Sequence, residues 1–265
     1  MIHYLSRMAP PFLRSLESGG GSIETLKPQA WRLTIPAGPD RVYRLAQLDD
    51  YRGLARDKLH WQPPLTLSLR ARASEESLLG TWGFGLWNDP FSLGFKIGGA
   101  GRRVPALPNT AWFFFASPPN YLSLRDDLPT RGLLAATFSS PKLPAVLFPL
   151  GIPFIPLLFW RPLARLLRSC VRRWIRQSAV QVETSLTAWH TYSIFWESDS
   201  VAFGVDGETV PKMEVSPLGP LGLVLWIDNQ YAAFTPRGSL AFGTLPNPHR
   251  GWLEIADLEI NMVHG

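Results

Sequence analysis

Between Trp189 and Val210 the chain reads WHTYSIFWESDSVAFGVDGETV. Tyr192, Ile194 and Trp196 alternate with Thr191, Ser193, Phe195 and Glu197, and a period of two puts one apolar row on one face of a strand. Ser198, Asp199 and Ser200 make a turn, Val201, Phe203 and Val205 repeat the alternation, and Asp206-Gly207 is a dipeptide suited to a tight hairpin. Two hairpins in succession predict antiparallel sheet, and the rest of the chain is read around them.

Pro and Gly punctuate short strands and aromatic side chains suit a pleated, half-buried surface. Twenty-five Pro and 22 Gly beside 11 Trp and 15 Phe in 265 residues therefore predict one large all-β domain. Cys170 is the single cysteine, which excludes an intrachain disulfide or a multi-cysteine metal site and favours a reducing compartment. Arg7, Pro10, Pro11 and Arg14 interrupt the start, so no signal peptide is expected. A cytoplasmic location follows, with peripheral attachment at the inner membrane face as an open addition. The formal charge is +5, yet six arginines lie between Leu157 and Ser178 with no acidic residue among them. The basicity is local, and nucleic acid is not an expected partner.

Residues 1–28, ending in Gly19-Gly20-Gly21-Ser22, read as a flexible arm, and 29–265 as one sandwich domain. Strands are expected at 31–35, 41–48, 65–73, 80–88, 91–97, 112–117, 121–124 and 132–138, and again at 182–186, 221–228, 231–234, 240–242 and 252–263. Within 80–88 (GTWGFGLWN), Trp82, Phe84 and Leu86 share one face; Thr81, Gly83, Gly85 and Trp87 share the other, where glycines let a backbone or a ligand come close.

Residues 141–180 break this rhythm as an insertion. The run 143–160 (LPAVLFPLGIPFIPLLFW) has 18 residues without a charge, close to a bilayer-spanning length, but its four prolines argue against one straight helix. Over 157–178, Arg161, Arg165, Arg168, Arg172 and Arg176 follow helical spacing along one side, with Leu163, Leu166, Leu167, Cys170, Val171, Trp174 and Ile175 on the other. This predicts a basic amphipathic helix with Pro162 in its first turn. Three readings are open. Phe159, Trp160 and Trp174 with the arginines form a membrane-interface segment on anionic headgroups, or a lid over the sandwich, or a partner-binding face.

Three passages resemble the concanavalin A-like lectin and glucanase superfamily, most of all its laminarinase-type glycoside hydrolases. They are Gly80 to Asn88, rich in Gly and Trp; His190 to Val210, with His, Tyr, an apolar residue and Trp before a strand ending in Asp-Gly; and 221–229 with 252–260 as closing strands. The resemblance implies a jelly-roll sandwich of two curved antiparallel sheets with a ligand groove on the concave face. It also implies a catalytic strand of Glu, apolar, Asp, apolar, Glu, in which a nucleophile and an acid cleave a glycosidic bond with retention. Where that strand is expected the chain reads AWFFFASPPNYLSLRDD, without a Glu. Glu254, Asp257 and Glu259 imitate the motif in the last strand, but in an unbulged strand Glu254 faces opposite to the other two.

The candidates for a binding groove are Trp87, Trp112, Trp226 and Asp228, since an indole offers a flat face and one N–H donor; Trp82 and Trp196 share faces with aliphatic residues and are expected in the core. No two histidines have metal-ligand spacing and no phosphate-binding glycine loop is present, so neither metal nor cofactor is expected. The expected function is non-hydrolytic binding of a carbohydrate-like or apolar ligand, with membrane docking through the insertion. The alternatives are a laminarinase-type glycoside hydrolase or transglycosylase, and an enzyme acting on a small hydrophobic substrate under a helical lid.

Overall fold

The computed structural model describes residues 5–8, 13–90, 106–142 and 160–263. In chain order its strands are β1 (Leu5–Met8), β2 (Arg14–Ser18), β3 (Ser22–Lys27), β4 (Ala30–Ile35), β5 (Leu45–Asp49), β6 (Leu65–Ala73), β7 (Thr81–Trp87), β8 (Thr110–Ala116) and β9 (Gly132–Ser139). After helix α1 (Arg161–Trp174) come β10 (Arg176–Gln181), β11 (His190–Trp196), β12 (Val201–Val205), β13 (Glu208–Met213), β14 (Gly222–Asp228), β15 (Gln230–Phe234), β16 (Leu240–Thr244) and β17 (Gly251–Val263). An eight-stranded sheet runs β13-β12-β11-β6-β17-β4-β3 with β1 also on β17, and a seven-stranded sheet runs β10-β9-β8-β7-β14-β5-β2. Every strand pair in both is antiparallel, and β15 and β16 form a separate hairpin. This is the jelly-roll sandwich that the resemblance implies.

The alternating apolar rows account for the packing. Tyr192, Ile194 and Trp196 of β11 and Val201 and Phe203 of β12 turn inward against Trp82, Phe84 and Leu86 of β7 and Phe113 of β8, closing one core between the sheets. Phe84 meets Tyr192 edge-on at 5.1 Å, and Phe113 meets Phe203 at 5.2 Å. Trp82 and Trp196 are fully buried there. Asp206 and Gly207, with φ of 52° and 84°, make the tight turn between β12 and β13.

Four expectations are corrected. The supposed arm is sheet: β1, β2 and β3 pair with β17, β5 and β4. Its glycines serve closeness rather than flexibility, because a Cβ on Gly19 would collide with the Tyr43 carbonyl and one on Gly21 with that of Leu45 as the chain crosses between sheets. The helix ends at Trp174, and Arg176 already belongs to β10, paired with Ser139 of β9. Consequently the strand expected at 182–186 lies at 176–181, where an unbroken helical count hid it. Residues 121–124 form no strand; Tyr121 makes an isolated bridge to Ala233. The strand expected at 91–97, the uncharged run up to 159 and Phe159 lie outside the described residues.

The acidic residues of the last strand are held on the outer face of the eight-stranded sheet. A bulge between Ala256 and Glu259, with Asp257 at φ 54°, puts Glu254 and Glu259 on the same face, where a regular pleat would oppose them. Glu254, 1% exposed, receives Arg32 at 2.5 Å and Arg72 at 2.7 Å, and both guanidiniums also lie over the Trp252 ring. Asp257 is exposed and pairs loosely with Arg70 at 3.5 Å. This cluster clamps β4, β6 and β17 together. Glu254→Ala is expected to lower the unfolding free energy in urea by about 2 kcal/mol, since it removes the shared acceptor of two charge-assisted hydrogen bonds, while Glu24 still pairs with Arg32 at 3.5 Å. Asp257→Asn, which keeps a side chain tolerant of that φ, should cost less than about 1 kcal/mol.

Candidate ligand-binding groove

The seven-stranded sheet is apolar on both faces. Every residue of β7, β8 and β14 is buried, so the face turned away from the core needs its own cover. On that face stand Trp87 of β7, Trp112 and Phe114 of β8, Leu134 and Ala136 of β9, and Val224 and Trp226 of β14. They leave an open cavity of about 360 Å³.

The floor is aromatic. Trp226 lies parallel to Trp87 (centroids 6.5 Å, planes 8° apart) and packs against Trp112 at 5.4 Å and Phe114 at 5.8 Å. Trp112 in turn stacks on Phe114 at 5.3 Å. Gly83 makes this possible: a Cβ there would stand 2.7 Å from the Trp226 ring, so the indole can lie across β7 only over a glycine. The walls are Leu122, Tyr43, and Tyr231, Phe234, Leu240 and Phe242 of the β15–β16 hairpin. The indole N–H groups of Trp87 and Trp112 are buried without a hydrogen-bond partner among the described residues.

One end of the groove is polar. Asp228, 5% exposed, accepts the Thr81 hydroxyl at 2.7 Å, the Gln230 N–H at 3.2 Å and the Tyr43 hydroxyl at 3.3 Å, and Thr81 accepts the Trp226 indole N–H at 3.1 Å. Burial outweighs these donors and raises the Asp228 carboxyl to about 7. Two further polar side chains of the lining are committed to the protein. Gln47 donates to Asp49 and Tyr51, and Asn120 binds the Ser117 carbonyl and the Ala232 N–H.

The structure therefore brings together Trp87, Trp112, Trp226 and Asp228, and places Glu254, Asp257 and Glu259 on the opposite sheet. Among the described residues lining the groove Asp228 is the one acid. Asp49, on the same face of the sheet, is tied to Arg52 at 2.6 Å. A retaining pair needs two carboxyls about 5 Å apart, and none is found among those lining residues. Nor does any group of three metal-ligating side chains stand together among the described residues. Sequence reasoning missed Phe114, which alternates with Trp112 and was legible, and that the strands expected at 231–234 and 240–242 wall the groove, which no local pattern announces.

Helix α1 braces that wall. The fully aligned arginine row is not what the structure contains: Arg168, 3% exposed, turns inward, donates to the Phe234 carbonyl at 2.6 Å, pairs with Asp126 at 2.7 Å and lies over the Tyr121 and Phe234 rings. Ala164 is buried beside it, while Trp160, Leu166 and Trp174 are exposed. The helix thus sets on the protein at the seam between its two faces, not on its apolar one.

Protonation of Asp228 has a consequence for stability. A carboxyl raised by folding contributes fully below about pH 4, where an unfolded Asp is also protonated, and loses that contribution as pH climbs through about 7. Asp50, buried beneath Trp61 and raised to about 6, adds to the same slope. The thermal midpoint should therefore fall between pH 4 and 7, and Asp228→Asn should flatten that fall, as differential scanning fluorimetry across the range would record.

No protein-family model matches this chain, and no curated protein matches it in sequence. Solved structures resemble it in fold. They include the mixed-linkage glucan GH16 protein of Bacteroides ovatus in complex with a product, at 10% identity over 94% of this chain and 93% of that one, TM-score 0.48. Bacillus licheniformis β-glucanase shares 9% over 95% and 92%, TM-score 0.46. A botulinum neurotoxin type C structure, described as entering cells by interaction with two ganglioside molecules, shares 8% over 96% of this chain and 44% of that one, TM-score 0.43.

Proposed function

We propose that this chain is a non-hydrolytic binding protein whose groove on the seven-stranded sheet takes a small ligand with a flat or apolar body. The observation that carries this reading is the floor of Trp87, Trp112, Phe114 and Trp226, left open beside walls that are themselves aromatic. Such a surface favours burial and stacking. A sugar face stacks on it too, but a glycan also needs partners for its hydroxyls, and Gln47, Thr81 and Asn120 already spend theirs inside the protein. An apolar-bodied ligand is therefore the first reading and a glycan the second. Hydrolysis is disfavoured because the groove offers one carboxyl where retention needs two.

A Trp226→Ala variant should lose at least about tenfold in affinity for a neutral apolar fluorescent probe such as Nile red, since truncating a central indole anchor costs on the order of 2 kcal/mol. Unchanged probe binding would place the ligand elsewhere. Release of reducing sugar from β-glucans, abolished by Asp228→Asn, would replace the binding reading with the hydrolase one.

We further infer that α1 attaches the protein to an anionic membrane surface, with a cytoplasmic-side location suiting the exposed free thiol of Cys170. The support is a row of exposed Trp160, Leu166 and Trp174 flanked by exposed Arg161, Arg165, Arg172 and Arg173. The attachment proposed is interfacial, through this exposed row; no helix among the described residues is long and apolar enough to cross a membrane. Liposomes containing phosphatidylserine should float the protein at low salt and less at high salt. A Leu166→Glu, Trp174→Glu double variant should stay at the bottom of the gradient.

A further inference from the structure

We propose that the groove selects ligands whose apolar body ends in an organic cation, a quaternary ammonium or a protonated amine. This rests on the groove being the binding site, and names the chemical class that fits it.

The surroundings of Asp228 are the starting point. Its carboxyl is buried, yet it forms no ion pair among the described residues, and the described residues that line the groove include no lysine or arginine. The groups that face it are neutral: the Thr81 hydroxyl from β7, the Gln230 N–H from β15, and the Tyr43 hydroxyl, which is the titratable one among them. A buried carboxylate without a counter-charge is costly, and a cationic ligand supplies what the chain withholds.

The aromatic lining points the same way. Trp87, Trp112, Trp226, Phe114, Tyr231 and Phe242 present rings to one cavity, and a π face attracts a cation that it also helps to desolvate, with indole the strongest. An alkylammonium head is large and weakly hydrated, so it can leave water for such a cage more cheaply than a compact ion. An anionic ligand, by contrast, meets a carboxyl and no cation. A neutral chain fills the same volume but leaves Asp228 uncompensated.

A pH dependence follows. Because burial holds the Asp228 carboxyl at about 7, a cation that binds its ionised form displaces a proton in acid solution. Affinity for the cation should rise between pH 6 and 8, by up to about tenfold per unit on the acid side, and level off above.

The test is titration of the full chain, followed by intrinsic tryptophan fluorescence, with hexyltrimethylammonium, hexanol and hexanoate at pH 6 and pH 8. The cation should bind about tenfold more tightly than either other probe at pH 8, and its advantage should shrink at pH 6. Asp228→Asn should lose both the preference and the pH dependence while still binding hexanol. Hexanol binding as well as the cation at pH 8, or an advantage insensitive to pH in the unaltered chain, would overturn this inference and leave the groove as an apolar site. Absence of binding by all three probes would overturn the groove reading and this inference together. Because the pH arm uses the unaltered chain, the outcome stands even if the variant folds poorly.

Discussion

A sheet that is apolar on both faces has to be covered twice. One face of the seven-stranded sheet meets the eight-stranded sheet across the aromatic core of Trp82, Phe84, Phe113, Tyr192 and Phe203. The other carries Trp87, Trp112, Phe114 and Trp226, and is covered in part by a two-stranded hairpin that belongs to neither sheet. The groove is what this second covering leaves open. Its apolar character follows from the burial requirement and its aromatic character from the size of the side chains that fill it.

The hairpin is only as fixed as its supports. Arg168 is central here, because one buried guanidinium donates to the Phe234 carbonyl, pairs with Asp126 and sits over two aromatic rings. Removing a single partner from such a site leaves a charge in apolar surroundings, which makes the arrangement one of geometry more than of net stability. The groove wall, the 121–128 segment and α1 are thereby coupled. The exposed row of Trp160, Leu166 and Trp174 stands on the same helix, so an event on its outer surface is mechanically one element away from the groove wall.

The two carboxyl sites show how environment divides roles. Glu254 is buried between two arginines and a tryptophan and serves as a clamp across three strands. Asp228 is buried among neutral donors at the end of an open groove, and holds its proton to about 7. The first has its counter-charge within the fold, and the second has none among the described residues. That asymmetry, more than the residue type, separates the two acids.

Period-two alternation determined the strands, their inward rows and the antiparallel sandwich, because which residues face the core depends only on neighbours two positions away. It also put Trp87 on the row that carries Gly83 and Gly85, and Trp226 on the row of Asp228. The tertiary structure alone decided that those rows adjoin, since β14 is remote in sequence from β7 and β8 and becomes the neighbour of β7 through sheet order. It decided likewise that Glu254 and Glu259 share a face, through a bulge no pattern marks, and that the glycines before β3 make a tight crossing instead of a loose arm. The helical count ran past Trp174 because spacing registers periodicity without knowing that β9 offers Arg176 a strand to join. Local chemistry writes the faces of each element; only long-range packing determines which faces meet.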